Sequence, residues 1–123
     1  MYRKVIILCL LSFSALAHEM TPTYPKLMPS HIDDVFSTQM EIFNRRSDVQ
    51  YYEIGVFDKN WKTVPFVSSY KLMKVDYLQH VKFDIYLRAQ DVLRATYVCS
   101  KSKLRNDENK VTAVSSKICS KFQ

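Results

Sequence analysis

The chain has 123 residues, 47% of them hydrophobic, with a net charge of +6, one glycine and three cysteines. That is enough apolar content for one small domain around one core. The single glycine, Gly55, excludes the glycine-rich loops that cradle nucleotide phosphates and the nucleophile elbows of α/β-hydrolases, both of which need several glycines at turns.

Residues 1–17 carry a basic start (Arg3, Lys4), an apolar run from Val5 to Leu16 and a small-residue end, Ala15-Leu16-Ala17. This three-part pattern predicts a secretory signal peptide cleaved after Ala17. The apolar run is shorter than the roughly 20 residues that cross a bilayer, so no stable membrane span is expected after cleavage. Cys9 sits inside the run without the small residues that precede a lipidated cysteine. The mature protein is then a single domain, residues 18–123, in the periplasm or secreted. Two cysteines remain, Cys99 and Cys119, in a compartment where disulfides persist.

From His18 to Asp34 the chain is punctuated by Pro22, Pro25 and Pro29, which predicts an extended lead-in with at most a short edge strand. Phe36, Thr38, Met40 and Ile42 then alternate with polar residues, and after a polar turn at Asn44–Asp48 so do Tyr52, Ile54 and Val56. The period of two predicts strands, and the two runs are expected to pair with each other. Asp58–Asn60 is a second turn, followed by Trp61 and the segment Val64–Val67, and a weaker strand is expected within Tyr70–Val75. Val81, Phe83, Ile85 and Leu87 give the cleanest alternation in the chain, and Ala89–Asp91 leads on to the last two strands.

Those two strands flank a polar tip at Asn106–Asn109, and folding them back sets Cys99 opposite Cys119. A bridge there, closing a loop of about 20 residues, contributes about 3 kcal/mol. Val98, Val114, Ile118 and Phe122 take one face, toward a core. The cysteines share the other with Lys101, Lys103, Lys117 and Lys121, which predicts a disulfide at the surface. Six or seven short strands without a helical pattern predict an all-β fold, an immunoglobulin-like antiparallel β-sandwich of about seven strands with its C-terminal hairpin stapled by the disulfide. A small closed barrel is the rival.

Charge is uneven. From Arg94 onward there are seven basic residues and only Asp107 and Glu108 as acids, a basic hairpin attractive to anionic partners. It has only Tyr97 and Phe122 as aromatics, and export removes most nucleic-acid partners, so none is expected. Asp33 and Asp34 are neighbours along an extended chain and point to opposite faces, so no catalytic pair forms and the chain is not expected to be an enzyme. The one metal possibility is copper. Cleavage after Ala17 would leave His18 with a free α-amino group beside its imidazole, a chelate completed by a second histidine, His80 or His31. Otherwise no cofactor is expected.

The run from Met40 to Asp58, followed by Trp61 and Val64–Phe66, resembles the N-terminal domain of periplasmic pilus-assembly chaperones of the chaperone/usher type. The order is an apolar strand ending in Asn, a polar turn, a strand of tyrosine and β-branched residues, a turn and a short apolar return. Val75–Leu87 and Ala95–Val98 follow in the same order. The resemblance implies a protein partner, a pilin-like or envelope subunit, bound by β-strand addition at the last strand. Val111, Val114, Ile118 and Phe122 would supply apolar side chains, and a basic pair drawn from Lys117 or Lys110 and Lys26 would anchor the client. On this resemblance the chain is expected to be a single-domain relative, without a counterpart of the second domain of the two-domain chaperones. The alternative is a non-catalytic immunoglobulin-like structural module of an envelope, pilus or virion assembly.

Overall fold

The computed structural model describes residues 17–103 and 115–123. Within them lie nine strands and one helical turn: β1 (Glu19–Thr21), β2 (Met28–Pro29), β3 (Val35–Phe43), β4 (Tyr51–Phe57), β5 (Val67–Ser68), β6 (Leu72–Lys74), β7 (His80–Arg88), α1 (Ala89–Val92), β8 (Tyr97–Lys103) and β9 (Lys117–Lys121). One sheet has the order β1-β3-β7-β5, with β2 also on β3, and the other the order β6-β4-β8-β9. Every pairing is antiparallel. The result is the immunoglobulin-like β-sandwich that the alternation predicts. Among the described residues no helix is long and apolar enough to cross a membrane.

The core lies between the sheets, where alternate residues meet. Met40 and Ile42 of β3 and Phe83, Ile85 and Leu87 of β7 face Tyr52, Ile54 and Val56 of β4, Met73 of β6 and Val98 of β8, all of them buried. Each large side chain removed from water this way contributes about 1.5–3 kcal/mol before entropy is counted against it.

Two local expectations are corrected. The runs at 36–42 and 52–56 do not pair; β3 is flanked by β1, β2 and β7, whereas β4 lies in the other sheet between β6 and β8. Periodicity reports which face is buried but not which neighbour is hydrogen-bonded, and the polar turn proves to be a corner between the sheets. Asn44, fully buried there, donates through Nδ2 to Val49 O at 2.7 Å and to Val75 O at 2.8 Å. Its Oδ1 accepts from Arg46 N at 2.9 Å and from the Tyr52 hydroxyl at 2.6 Å. The lead-in Ala89–Asp91 closes into α1, with Asp91 buried and paired to Arg94 at 2.8 Å and Arg88 at 3.1 Å. Hydrogen bonds from Arg94 and Arg88 hold its carboxyl below the usual carboxylate range.

In the final hairpin Cys99 is bonded to Cys119, 20 residues away, and the two are direct cross-strand partners. They share the outer face with Lys101 and Lys117, as predicted. The bridge is less superficial than predicted, because Cys99 is only 2% exposed. The reason lies next door at Gly55, the cross-strand partner of Cys99. A Cβ on Gly55 would lie 2.9 Å from two carbons of the Phe57 ring, so the missing side chain leaves room for that ring to fold back beside the disulfide.

Candidate functional site

Among the described residues β9 ends its sheet, hydrogen-bonded to β8 on one side and to no strand on the other, where β1 of the facing sheet packs close by. The ladder shows which backbone groups face outward. Ser102 N–H donates to Ser116 O and Phe122 N–H donates to Thr96 O, at 2.8 and 2.9 Å, so residues 116, 118, 120 and 122 point their peptide groups at β8. Residues 117, 119, 121 and 123 therefore point away. The C-terminal half of this outward set is already used by the lead-in: Lys121 N–H donates to Thr23 O and Gln123 N–H to Pro25 O, both at 3.1 Å. Lys117 and Cys119 remain as the stretch of β9 edge that no strand among the described residues pairs.

Above the backbone of that stretch, on the outer face, lies a groove of about 220 Å³ lined by Glu53, Gly55, Phe57, Cys99, Lys101, Lys103 and Lys117. The turn that follows Phe57 is held by Asp58. Its Oδ1 accepts from Asn60 N and Lys62 N at 2.8 and 3.0 Å, and its carbonyl accepts from Trp61 N at 3.0 Å. The turn so held leaves Trp61 with a left-handed φ of 62°, a cost for a bulky residue that is offset as its ring stacks on Tyr97 at 4.3 Å and 2°. The Lys117 ammonium lies 4.9 Å from both the Phe57 and the Trp61 ring centres, a cation–π seat. Lys103 is paired to Glu53 at 3.0 Å. Lys101 and Lys117 have no carboxylate partner among the described residues.

Beneath β9, on the inner face, is a polar seam. His18 is 1% exposed, with Nε2 2.7 Å from Ser100 Oγ and Nδ1 3.0 Å from Ser116 Oγ, and its ring packs on Tyr52 at 4.4 Å. Arg46, also buried, grips Asp48 through Nε and Nη2 at 3.0 and 2.7 Å and directs Nη1 toward Ser116 Oγ at 3.5 Å. Burial lowers the His18 pKa from 6.5 to about 4, with the charge of Arg46 acting the same way and a hydrogen bond to Ser100 opposing it. Burial likewise raises the Tyr52 hydroxyl to about 12.

A pH dependence follows. The folded pKa lies below the unfolded one, so between pH 6.5 and about 4 the unfolded chain binds the extra proton. The contribution of His18 is therefore complete above pH 6.5 and is lost as the pH falls through about 4, on the order of 2 kcal/mol. Urea midpoints at pH 7.5 and 4.5 should show this loss, and His18→Gln, which keeps a donor and an acceptor for the two serines, should flatten it. Equal pH slopes for the two proteins would show that His18 is not the titrating group.

The predicted site residues fall into distinct places. Lys117, Ile118 and Phe122 lie together on or just after β9. Ile118 packs against the core and Phe122 is 8% exposed inside it, so the described part of the apolar stripe closes the protein's own core. Lys26 is exposed and follows Pro25, which docks on Gln123, so lead-in and last strand do converge. Lys110, Val111 and Val114 lie outside the described residues, as do the hairpin tip and residues 1–16 of the expected leader. His18 and His80 are not brought together. Glu19, Phe43 and His80 form one cross-strand row, with His80 60% exposed, stacked on Phe43 at 4.2 Å and bonded to Glu41 at 2.6 Å. His18 points to the other side of that sheet, into the interior. His31 is exposed in the turn before β3. Among the described residues no three His, Cys, Asp or Glu side chains gather around a common point.

The polar seam itself was not anticipated. Its signal was the serines: Ser100, Ser116 and Ser120 occupy positions that the alternation assigns to the core. Arg46, inside a polar turn, gave none.

No protein-family model matches the chain, and no curated protein matches it. Among solved structures, it is similar to the crystal structure of the E. coli chaperone DraB, with a TM-score of 0.65 at 17% sequence identity. The alignment covers 87% of this chain and 53% of that one, so the chain spans about half the length of the chaperone. The likeness shows a shared, chaperone-like β-sandwich fold.

Proposed function

We propose that this chain is an exported β-sandwich that binds a protein partner by β-strand addition at the edge of β9, as pilus-assembly chaperones bind their subunits. The observation that carries this reading is the outward-facing backbone of Lys117 and Cys119, unpaired by any strand among the described residues and bounded by the lead-in docked at Lys121 and Gln123. Exposed strand edges template pairing with other chains. The fold shared with a chaperone supports the reading, and the signal-peptide pattern and the disulfide fit a periplasmic setting. Because Ile118 and Phe122 are occupied at home, the described part of β9 offers backbone hydrogen bonds to the partner, with lysine charge for orientation.

Lys117→Pro tests this. The N–H that proline removes points away from β8, and proline is tolerated on an edge strand, so the fold should survive with little change in Tm. Complex formation with a pilin-like subunit encoded beside this chain should weaken by about tenfold or more, as an outward hydrogen bond is lost and the ring blocks approach. An unchanged complex would remove β9 from the interface. The second reading, a non-catalytic structural module, is favoured by the placement of Phe122 in the protein's own core. It predicts stoichiometric recovery in a purified assembly that is indifferent to Lys117→Pro.

A further inference from the structure

We infer that the strand added to β9 is acidic on one face, placing a glutamate or aspartate side chain at the groove mouth beside Lys117. This rests on the strand-addition reading above and specifies the chemistry of the partner.

Glu53 is the direct partner of Lys101, and Lys101 of Lys117, so one row reads Glu53, Lys101, Lys117 and stops at the free edge. Like charges directly opposite each other in a sheet are destabilising. Lys101 and Lys117 are such a pair, and Glu53, the one acid in the row, is engaged by Lys103 at 3.0 Å. The row thus ends on two cations without a carboxylate among the described residues. A strand laid along β9 adds the next position about 4.8 Å beyond Lys117. Because the Lys117 peptide group points outward, the residue opposite it on an antiparallel added strand exchanges backbone hydrogen bonds with it and shares its face. An acidic side chain there lies beside Lys117, whose ammonium, turned back over the sheet toward the Phe57 and Trp61 rings, swings to the edge to meet it.

The neighbouring positions are set by the same alternation. The residue opposite Ile118 turns to the inner face, where Ile118 is only partly buried, and is apolar. The residue opposite Cys119 returns to the outer face above the disulfide. The partner's signature is therefore an acid on the outer face followed along the strand by an apolar inner residue. A second copy of β9 does not meet it, since its outer-face residues are Lys117, Cys119 and Lys121, none of them acidic.

The test uses soluble seven-residue peptides of alternating valine and threonine, acetylated and amidated so that they carry no terminal charge, with Glu, Gln or Lys at the central outward position. Amide exchange at Lys117 and Cys119 reports addition, and titration followed by NMR reports affinity. The Glu peptide should bind about fivefold tighter than the Lys peptide at low salt, and the preference should shrink at about 0.5 M salt. In Lys117→Glu the order should reverse. If all three peptides protect both amides equally, the acidic specificity is wrong while strand addition stands. If no peptide protects either amide, both fall.

Discussion

Asn44→Ala should be among the most destabilising single substitutions in this protein, costing about 4 kcal/mol. The expectation comes from the number of partners one small side chain serves at a fully buried position. Removing it orphans the Val49 and Val75 carbonyls and the Arg46 amide, and leaves the Tyr52 hydroxyl without its acceptor. Each unsatisfied buried group carries a penalty of about 1–3 kcal/mol, less where water enters the vacated space. The backbone of Asn44 is committed too, accepting from Leu78 N at 2.7 Å and donating to Gln79 O at 3.2 Å, so the corner cannot move far to compensate. Urea denaturation would measure the effect. Tyr52→Phe, which leaves Oδ1 its bond from Arg46, should cost about 1 kcal/mol. A loss for Asn44→Ala no larger than that of Tyr52→Phe would show that the corner is held by packing alone.

Removing the disulfide should come next. The bridge closes a loop of 20 residues, for which the chain-entropy argument gives about 3 kcal/mol. In a domain of this size that corresponds to a fall in Tm of roughly 12 °C or more. Cys99→Ala combined with Cys119→Ala, compared with the oxidised protein by calorimetry, reads it directly. Amide exchange should accelerate most at Ile118 and Ser120, whose peptide groups bond β8 across the bridge, because among the described residues β9 pairs with a strand on one side only. A loss under about 1 kcal/mol would mean that β8 and β9 are held together by their ladder and by the lead-in rather than by the covalent link. On the proposed strand-addition reading the two outcomes would differ for function as well, since an edge fixed in register by its bridge needs no ordering before it pairs.

Much of the architecture was legible in the residues. The clean alternation of Val81 to Leu87 and of Tyr52 to Val56 could only bury one face of a strand, and both did. Cys99 and Cys119 met in the register that folding the hairpin predicts, with the lysines on their face. What was not legible was long-range. Nothing local in the run from Phe36 to Ile42 tells that its hydrogen bonds go to β7, far along the chain, and not to the next run after a short turn. Asn44 reads as an ordinary turn residue until the two carbonyls it bridges are brought to it by separate strands. His18 reads as a metal ligand when only its position in the sequence is considered, and in the fold its two ring nitrogens meet serines from the final hairpin.

The last strand carries both kinds of information. Its two-faced character, with lysines and cysteine outward and Ile118 and Phe122 inward, was determined by the sequence alone, because side-chain alternation is a property of the extended backbone itself. That Ile118 and Phe122 pack into this protein's own core, and which peptide groups of β9 are left unpaired among the described residues, was decided only by the tertiary structure. Both depend on where the lead-in docks: Thr23 and Pro25 cover the far half of the edge and leave Lys117 and Cys119 open, through contacts between segments about 100 residues apart in the chain.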